Sequence, residues 1–124
     1  MTGYSVKIAH TSKELTARER VAVKDTTNAI PLDEATKGGT LVIPVDYYVC
    51  LEVHNEKSED KDYKKYVVVD KTGNKYVTGS ESFFTAMVEI LDEMAESGED
   101  FQIEVYRVPS KNYKGKDFLT CSIV

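Results

Sequence analysis

The chain has 124 residues, of which 41% are hydrophobic and 30% charged, and its formal net charge is −5 at pH 7. This length and composition fit one folded domain, residues 1–124, with a single core. Because no apolar run approaches the roughly 20 residues that span a bilayer, and the N-terminus lacks the basic-then-apolar pattern of a signal peptide, we expect a cytoplasmic protein without membrane contact.

The acidic residues are unevenly distributed. Between Glu81 and Glu104 there are eight acids and no lysine or arginine. The rest of the chain carries 13 acids and 16 bases, a balance of +3. The negative net charge therefore does not exclude a cationic groove elsewhere in the protein.

The N-terminal third predicts short strands. Residues 6–9 form one strand candidate, while residues 12–20 fit either a helical turn or an extended arm. The alternation over residues 20–24 predicts a second strand, and residues 29–33 could return as its partner. Pro31 would confine that partner to a sheet edge, because proline lacks a backbone donor.

Two further strand signals follow. Residues 40–54 form the longest apolar stretch, which Pro44 divides into two strand pieces. Residues 65–70 and 75–78 are strand-like runs on either side of a turn that contains Gly73, a residue that supplies the positive φ a tight turn needs. This segment therefore predicts a β-hairpin.

One amphipathic helix follows the hairpin. Ser80 or Ser82 can serve as its N-cap, and Gly98 can terminate it. Its apolar residues recur at helical spacing, which predicts a core-facing stripe of Phe83, Met87, Ile90, Leu91 and Met94.

The C-terminal residues 101–124 predict a second hairpin. Both halves alternate in apolar and polar character, and the loop between them is basic and contains an aromatic ring. The loop residues of interest are Lys111, Tyr113, Lys114 and Lys116. Cations beside an aromatic ring suit a single-stranded nucleic acid, although lysines at a hairpin tip can also serve solubility alone.

The order of elements favours a mainly β fold. Five strands, with one helix between strands three and four, match the small Greek-key barrel called the OB-fold. An open α+β sheet with one covering helix needs the same elements and is the alternative.

No catalytic or metal-binding motif occurs. Phosphate-binding loops, H-E-x-x-H and C-x-x-C are absent, so we expect neither an enzyme nor a cofactor. The spacing of His10, Cys50, His54 and Cys121 lacks the paired ligands of a zinc site. Both cysteines sit in apolar, strand-like surroundings, which favours reduced buried thiols over a disulfide.

The tyrosines point to a binding surface. If the more apolar face of each strand is buried, four tyrosines face outward beside lysines: Tyr48, Tyr66, Tyr76 and Tyr106, with Lys64 and Lys75. A base stacked on such a ring contributes on the order of 1–3 kcal/mol. Tyrosine is also common on half-buried strands, so each ring alone is weak evidence.

Two segments carry a family resemblance. The run Lys-Tyr-Val-Val-Val-Asp-Lys-Thr-Gly-Asn-Lys-Tyr-Val-Thr-Gly-Ser-Glu-Ser-Phe-Phe (residues 65–84) leads into the acidic helix, and Ser-Lys-Asn-Tyr-Lys-Gly-Lys-Asp-Phe (residues 110–118) closes the last hairpin. Together they resemble small single-stranded DNA-binding proteins encoded by bacteriophages and prophages of Gram-positive bacteria.

The resemblance implies a function without catalysis. Such proteins coat single strands during replication or recombination, usually as oligomers, so we expect a homo-oligomer such as a dimer, with phage replication or recombination proteins as further partners. The positions that would face DNA are Tyr48, Tyr66, Tyr76, Tyr106, Arg107, Lys111, Tyr113, Lys114 and Lys116. A preference between DNA and RNA stays open.

A different function is also compatible with the pattern. The acidic helix surrounds its apolar stripe with negative charge, and this could mimic nucleic acid toward a basic partner. The alternative is therefore a phage-encoded protein-interaction module that acts on a host protein.

Overall fold

The computed structural model describes residues 4–57, 59, 61–109 and 117–124. These residues form eight strands and three helices. The strands are β1 (Tyr4–Thr11), β2 (Ile30–Pro31), β3 (Leu41–Ile43), β4 (Val45–Asn55), β5 (Asp62–Asp70), β6 (Lys75–Thr78), β7 (Ile103–Pro109) and β8 (Asp117–Ile123). The helices are α1 (Ala17–Lys24), α2 (Leu32–Ala35) and α3 (Glu81–Ala95).

The strands form two sheets. A five-stranded sheet has the order β1-β4-β5-β6-β2, and a three-stranded sheet has the order β3-β7-β8. Most pairs are antiparallel, and the pair of β2 with β6 is parallel. The prediction of a mainly β protein is confirmed, and in the described residues neither sheet closes into a barrel.

The contacts divide the chain into two compact units. The first unit comprises Met1–Pro31 and Asp46–Gly79 and contains the five-stranded sheet. The second unit comprises Leu32–Val45 and Ser80–Val124 and contains the three-stranded sheet. A single domain over residues 1–124 stays a prediction.

Helix α1 replaces a predicted strand. The prediction of a strand over residues 20–24 is wrong, because these residues complete the helix Ala17–Lys24. Thr16 caps this helix through a reciprocal capping box with Glu19, which satisfies free backbone donors of the first turn. Of the two valines that suggested a strand, Val23 is fully buried, whereas Val21 is 71% exposed.

One core cluster of the first unit lies on a single face of its sheet. Val23 and Leu15 pack there against alternate residues of the two central strands. The buried strand residues of this cluster are Tyr47, Val49, Leu51, Val53, Val67 and Val69. Alternation places these side chains on a single face, which explains why a short helix is enough to cover it.

Two proline positions agree with the sequence predictions. Pro44 separates β3 from β4, and the two strands belong to different sheets. Pro31 lies in β2, which is an edge strand of the larger sheet. In both places the missing backbone donor falls where a ladder is interrupted or ends.

The predicted hairpin of β5 and β6 is confirmed. Gly73 has a φ of 94° in its turn, a conformation that favours glycine. The Asp70 carboxylate accepts hydrogen bonds from the backbone N–H groups of Thr72 and Asn74, each at 2.9 Å. Burial raises the pKa of Asp70, but the hydrogen bonds from Thr72 and Asn74 outweigh this effect and lower it overall.

Helix α3 flanks the last strand of the second unit. Ser80 is its N-cap and accepts a hydrogen bond from the backbone N–H of Phe83, as predicted. The Ser82 hydroxyl donates to the carbonyl oxygen of Leu119 in β8 at 2.7 Å. Phe83 and Met87 are fully buried, and Gly98 follows the helix with a φ of 69°.

A helix that spans a bilayer needs about 20 consecutive, mainly apolar residues. No helix in the described part of the chain combines the length and the hydropathy that crossing a membrane demands.

Candidate nucleic-acid interface

Three of the four predicted sheet tyrosines are buried. Tyr48, Tyr66 and Tyr76 expose 3%, 5% and 8% of their surface, so the prediction that they face outward is wrong. Consecutive residues 47–51 of β4 and 66–70 of β5 are all buried. Because successive side chains point to opposite faces, both faces of these strands are covered.

The buried tyrosines have internal polar partners. The Tyr48 hydroxyl lies 3.2 Å from His10 Nε2, and the two rings are tilted with centroids 5.7 Å apart. The Tyr76 hydroxyl donates to Asp70 Oδ2 at 3.5 Å. Burial raises the pKa of Tyr76, and the negative charge of Asp70 adds to the effect. These hydroxyls therefore form polar contacts with other residues of the first unit.

The two lysines predicted beside the sheet tyrosines have different surroundings. Lys75 Nζ donates to the carbonyl oxygens of Ala22 and Asp25, both at 2.8 Å, and so caps the C-terminal end of α1. Lys64 is exposed and borders an open pocket of about 480 Å³. That pocket mixes both charges, since Lys7, Glu52, His54 and Asp62 also line it.

Arg107 is engaged within the second unit. Its Nε donates to Thr36 Oγ1 at 3.3 Å, and its Nη2 donates to the Asp33 carbonyl oxygen at 2.5 Å. The same Nη2 lies 3.8 Å from Asp33 Oδ1. The guanidinium therefore joins β7 to the segment of α2, and its side chain is 31% exposed.

The predicted basic loop of the C-terminal hairpin falls outside the part of the chain that the structure describes. Lys111, Tyr113, Lys114 and Lys116 lie outside the described residues, and their predicted role stays a prediction. The described residues on either side, Pro109 and Asp117, pair with each other across β7 and β8.

The three-stranded sheet has one buried and one half-exposed face. Cross-strand partners in antiparallel strands share a face, so the register assigns each residue. On the buried face lie Ile43, Ile103, Val105, Leu119 and Cys121. The opposite face, which we call the outer face, carries Val42, Glu104, Tyr106, Val108, Phe118, Thr120 and Ser122.

Two aromatic rings lie on the outer face. Phe118 is 41% exposed, and Tyr106 is half-buried. Tyr106 pairs with Thr120 and Phe118 pairs with Val108, so the two rings are diagonal neighbours on adjacent strands. Exposed aromatic side chains on a sheet are the arrangement on which bases of single strands stack.

Polar groups border these rings. The Tyr106 hydroxyl and the Ser122 hydroxyl are hydrogen-bonded at 2.5 Å, which fixes the direction of the phenol ring. Among the described residues of the outer face, Glu104 alone has a side chain that is charged at neutral pH. A largely uncharged face with two rings and hydroxyls offers stacking and hydrogen bonds, while phosphate contacts must come from elsewhere.

Phe118 is the residue that sequence reasoning missed. Its parity along the last strand matches Thr120 and Ser122, and it opposes Val108 across the hairpin. Pairing the two halves of the C-terminal hairpin in the sequence would have placed Phe118 on the face of Tyr106.

Charge differs strongly between the two units. The first unit has 11 bases and 10 acids, a balance of +1, whereas the second has 5 bases and 11 acids, a balance of −6. The exposed residues of α3 account for much of this difference, with Glu81, Glu89, Asp92 and Glu93 in solvent.

The metal-ligating and thiol side chains of the described residues do not cluster into a metal site. Within the described residues there is no group of three or more His, Cys, Asp or Glu that could hold a metal ion. Cys50 and Cys121 are free and buried. Burial raises the pKa of Cys50, and it raises the pKa of Cys121 to about 12, so both thiols stay protonated and unreactive at neutral pH.

Comparison of the chain with protein-family models, with curated proteins and with solved structures gives no match.

Proposed function

We propose that this protein binds single-stranded nucleic acid through the outer face of its three-stranded sheet and catalyses no reaction. The observation that carries the proposal is the pair of neighbouring rings, Tyr106 and Phe118, on a half-exposed sheet face. Two bases of an unpaired strand stack on these rings. Stacking accepts any base, so binding is largely independent of sequence.

The hydroxyl groups beside the rings complete the recognition. Thr120 and Ser122 share the face with Tyr106 and can donate to or accept from the edges of the stacked bases. Phosphate contacts come from Lys111, Lys114 and Lys116, as the sequence predicts. A duplex buries its base faces within its own stack, so it is a poor ligand for this surface.

The more specific predictions of the fold, the biological setting and the oligomeric state belong to the same proposal. The mainly β content supports both folds that the sequence predicts, a five-stranded Greek-key OB-fold barrel and an open α+β sheet with one covering helix, although the described strands lie in two sheets that do not close. The biological setting is phage DNA replication or recombination in the host cytoplasm, with the protein acting as a homo-oligomer such as a dimer. The sequence resemblance is the support for this setting.

A second candidate function is a protein-interaction module that mimics nucleic acid. The observation that favours it is the solvent-exposed acidic surface of α3 within a unit of charge −6. Reversal of Asp92, Glu93 and Glu96 to lysine would abolish binding of a basic host partner and leave oligonucleotide binding intact. The opposite pattern, loss of oligonucleotide binding alone, would exclude the module.

The test is fluorescence anisotropy of labelled oligonucleotides. We expect a single-stranded oligothymidylate to bind, a duplex of equal length to bind much more weakly, and raised salt to weaken both. An RNA strand of matched sequence in the same titration determines the preference between DNA and RNA. Equal affinity for duplex and single strands would contradict the proposal.

A further inference from the structure

A groove runs along the open edge of the five-stranded sheet. Strand β1 is at the end of the strand order, and in the described part of the chain it pairs with β4 alone. Beside it lies an open groove of about 630 Å³. It is lined by all of residues 7–11, by Glu14 and Leu15, and by Arg20 and Lys24 of α1.

The lining shows that the groove follows the strand's edge. The register of β1 against β4 shifts between Ile8 and His10, and on either side of this shift successive side chains point to opposite sheet faces. Even so, Lys7 and Ile8 both border the groove, as do His10 and Thr11. Only the edge of a strand adjoins consecutive residues in this way. The backbone N–H and C=O groups along an unpaired edge are available to another extended chain.

The charge of the groove is positive. Lys7, Arg20 and Lys24 line it, and none of them forms an ion pair within the residues that the structure describes. His10 borders the same groove, and Glu14 is its single acid. Ile8 and Leu15 add apolar contact between the charges.

We infer that this edge binds an extended acidic peptide of a partner protein, which adds to β1 as a further strand. Main-chain hydrogen bonds to β1 hold the peptide. Carboxylates on one face of the peptide lie toward Lys7, and those on its other face lie toward Arg20 and Lys24 of α1. This site is separate from the outer face and does not depend on nucleic-acid binding.

Two other occupants fit less well. Pairing of β1 with β1 of a second copy would bring the lysines and arginines of two identical edges together, and like charges across strands are destabilising. A nucleic-acid strand would find cations but no phenylalanine, tyrosine or tryptophan in the lining, and the imidazole of His10 already contacts the ring of Tyr48.

The probe is a fluorescein-labelled dodecapeptide that repeats Glu-Glu-Val-Val, which places carboxylates on both faces of the extended peptide, and its binding is measured by anisotropy. We expect salt-sensitive binding that the triple variant Lys7→Ala, Arg20→Ala, Lys24→Ala weakens on the order of tenfold. The matched control removes three exposed lysines outside the groove, Lys37, Lys57 and Lys61, and keeps the affinity of the unmodified protein.

A second peptide separates strand addition from charge attraction and needs no variant. Methylation of every peptide nitrogen keeps every carboxylate but removes the backbone donors along both edges of the peptide, and we expect it to abolish binding. Lys7→Glu, a single change on a strand, also reduces binding if the triple variant fails to fold.

Three outcomes would overturn the inference. They are absence of binding, equal binding of the methylated peptide, and loss of oligothymidylate binding in the groove variant, which would assign the groove to nucleic acid. If the unmodified protein binds the oligonucleotide but not the peptide, this inference is refuted and the proposed function stands.

Discussion

Tyr106 and Phe118 lie on the same face of the three-stranded sheet, one diagonal step apart on paired strands. Their partners across the hairpin are Thr120 and Val108, so no residue of either strand separates the two rings on that face. Diagonal neighbours are about 7–8 Å apart between α-carbons, which is within reach of aromatic side chains.

Removal of either ring is expected to weaken binding of a single strand. Phe118→Ala and Tyr106→Ala each eliminate one stacking surface, and a stacked base contributes on the order of 1–3 kcal/mol, so affinity falls roughly tenfold or more. The measurement is anisotropy with a labelled oligothymidylate.

Matched variants distinguish loss of the aromatic ring from loss of the folded structure. Phe118→Tyr and Tyr106→Phe keep an aromatic ring, and the latter removes only the hydroxyl that contacts Ser122. We expect both to bind nearly as well as the unmodified chain. Equal loss in the ring-keeping and ring-removing variants would contradict stacking.

The loop lysines are expected to control the salt dependence. Each phosphate neutralised on a single strand contributes about −0.7 to the slope of log K against log salt. Joint replacement of Lys111, Lys114 and Lys116 by alanine should therefore flatten the slope by about 2. An unchanged slope in this variant would assign the phosphate contacts to other residues.

Lys75 is expected to stabilise α1. Its ammonium donates to two carbonyl oxygens at the C-terminal end of this helix, Ala22 and Asp25. Lys75→Met keeps most of the aliphatic stem and removes the charge, which should lower the free energy of unfolding by about 1 kcal/mol. Urea denaturation measures the change, and Lys57→Met, at an exposed position, serves as the control. Equal effects of the two substitutions would show that Lys75 does not stabilise the end of α1.

His54 is expected to make the end of the β4–β5 pair sensitive to pH. Its ring nitrogens lie 2.7 Å from Asp62 Oδ1 and 2.8 Å from Glu56 Oε1. The hydrogen bond with Asp62, followed by that with Glu56, raises the pKa of His54 above its ordinary value of 6.5.

The direction of the His54 pKa shift determines how stability changes with pH. Because the folded pKa is raised, the stabilising contribution is fully present below the unfolded pKa and is lost as pH rises through the folded pKa. Proton NMR of the imidazole should give a midpoint above 6.5, and Asp62→Asn should lower it. If Asp62→Asn leaves the titration midpoint of His54 unchanged, the hydrogen bond between His54 and Asp62 is not maintained in solution.

Local elements of the fold were predictable from sequence. The β5–β6 turn has a glycine with positive φ at the expected place, and α3 has its serine cap and apolar stripe. The break at Pro44 is also a local effect, since proline cannot donate to a ladder. Each of these features depends on residues close together in the chain.

Short alternating runs were not decisive. Two valines separated by one residue fit a strand or the exposed and buried sides of a helix equally well over five residues. Thr16 and Glu19 decide the case for α1 through their capping box, and this signal lies upstream of the run.

The burial of the tyrosines depends on long-range packing. Alternation assigns residues of β4 and β5 to two faces but does not reveal whether both faces are covered. Tyrosine fits either environment, because its ring is apolar and its hydroxyl finds a partner such as Asp70 for Tyr76. The sequence therefore predicted the outer-face position of Tyr106 and misjudged Tyr48, Tyr66 and Tyr76.

The most direct test of the central claim uses a tryptophan at position 118. The chain contains no tryptophan, so Phe118→Trp introduces a single reporter on the outer face. Val21→Trp, at a position that is 71% exposed on α1, provides the control. We expect an oligothymidylate to quench the emission at position 118, less so at higher salt, and to leave the emission at position 21 unchanged. Unchanged emission at position 118, at concentrations where anisotropy reports a bound strand, would contradict binding on the outer face.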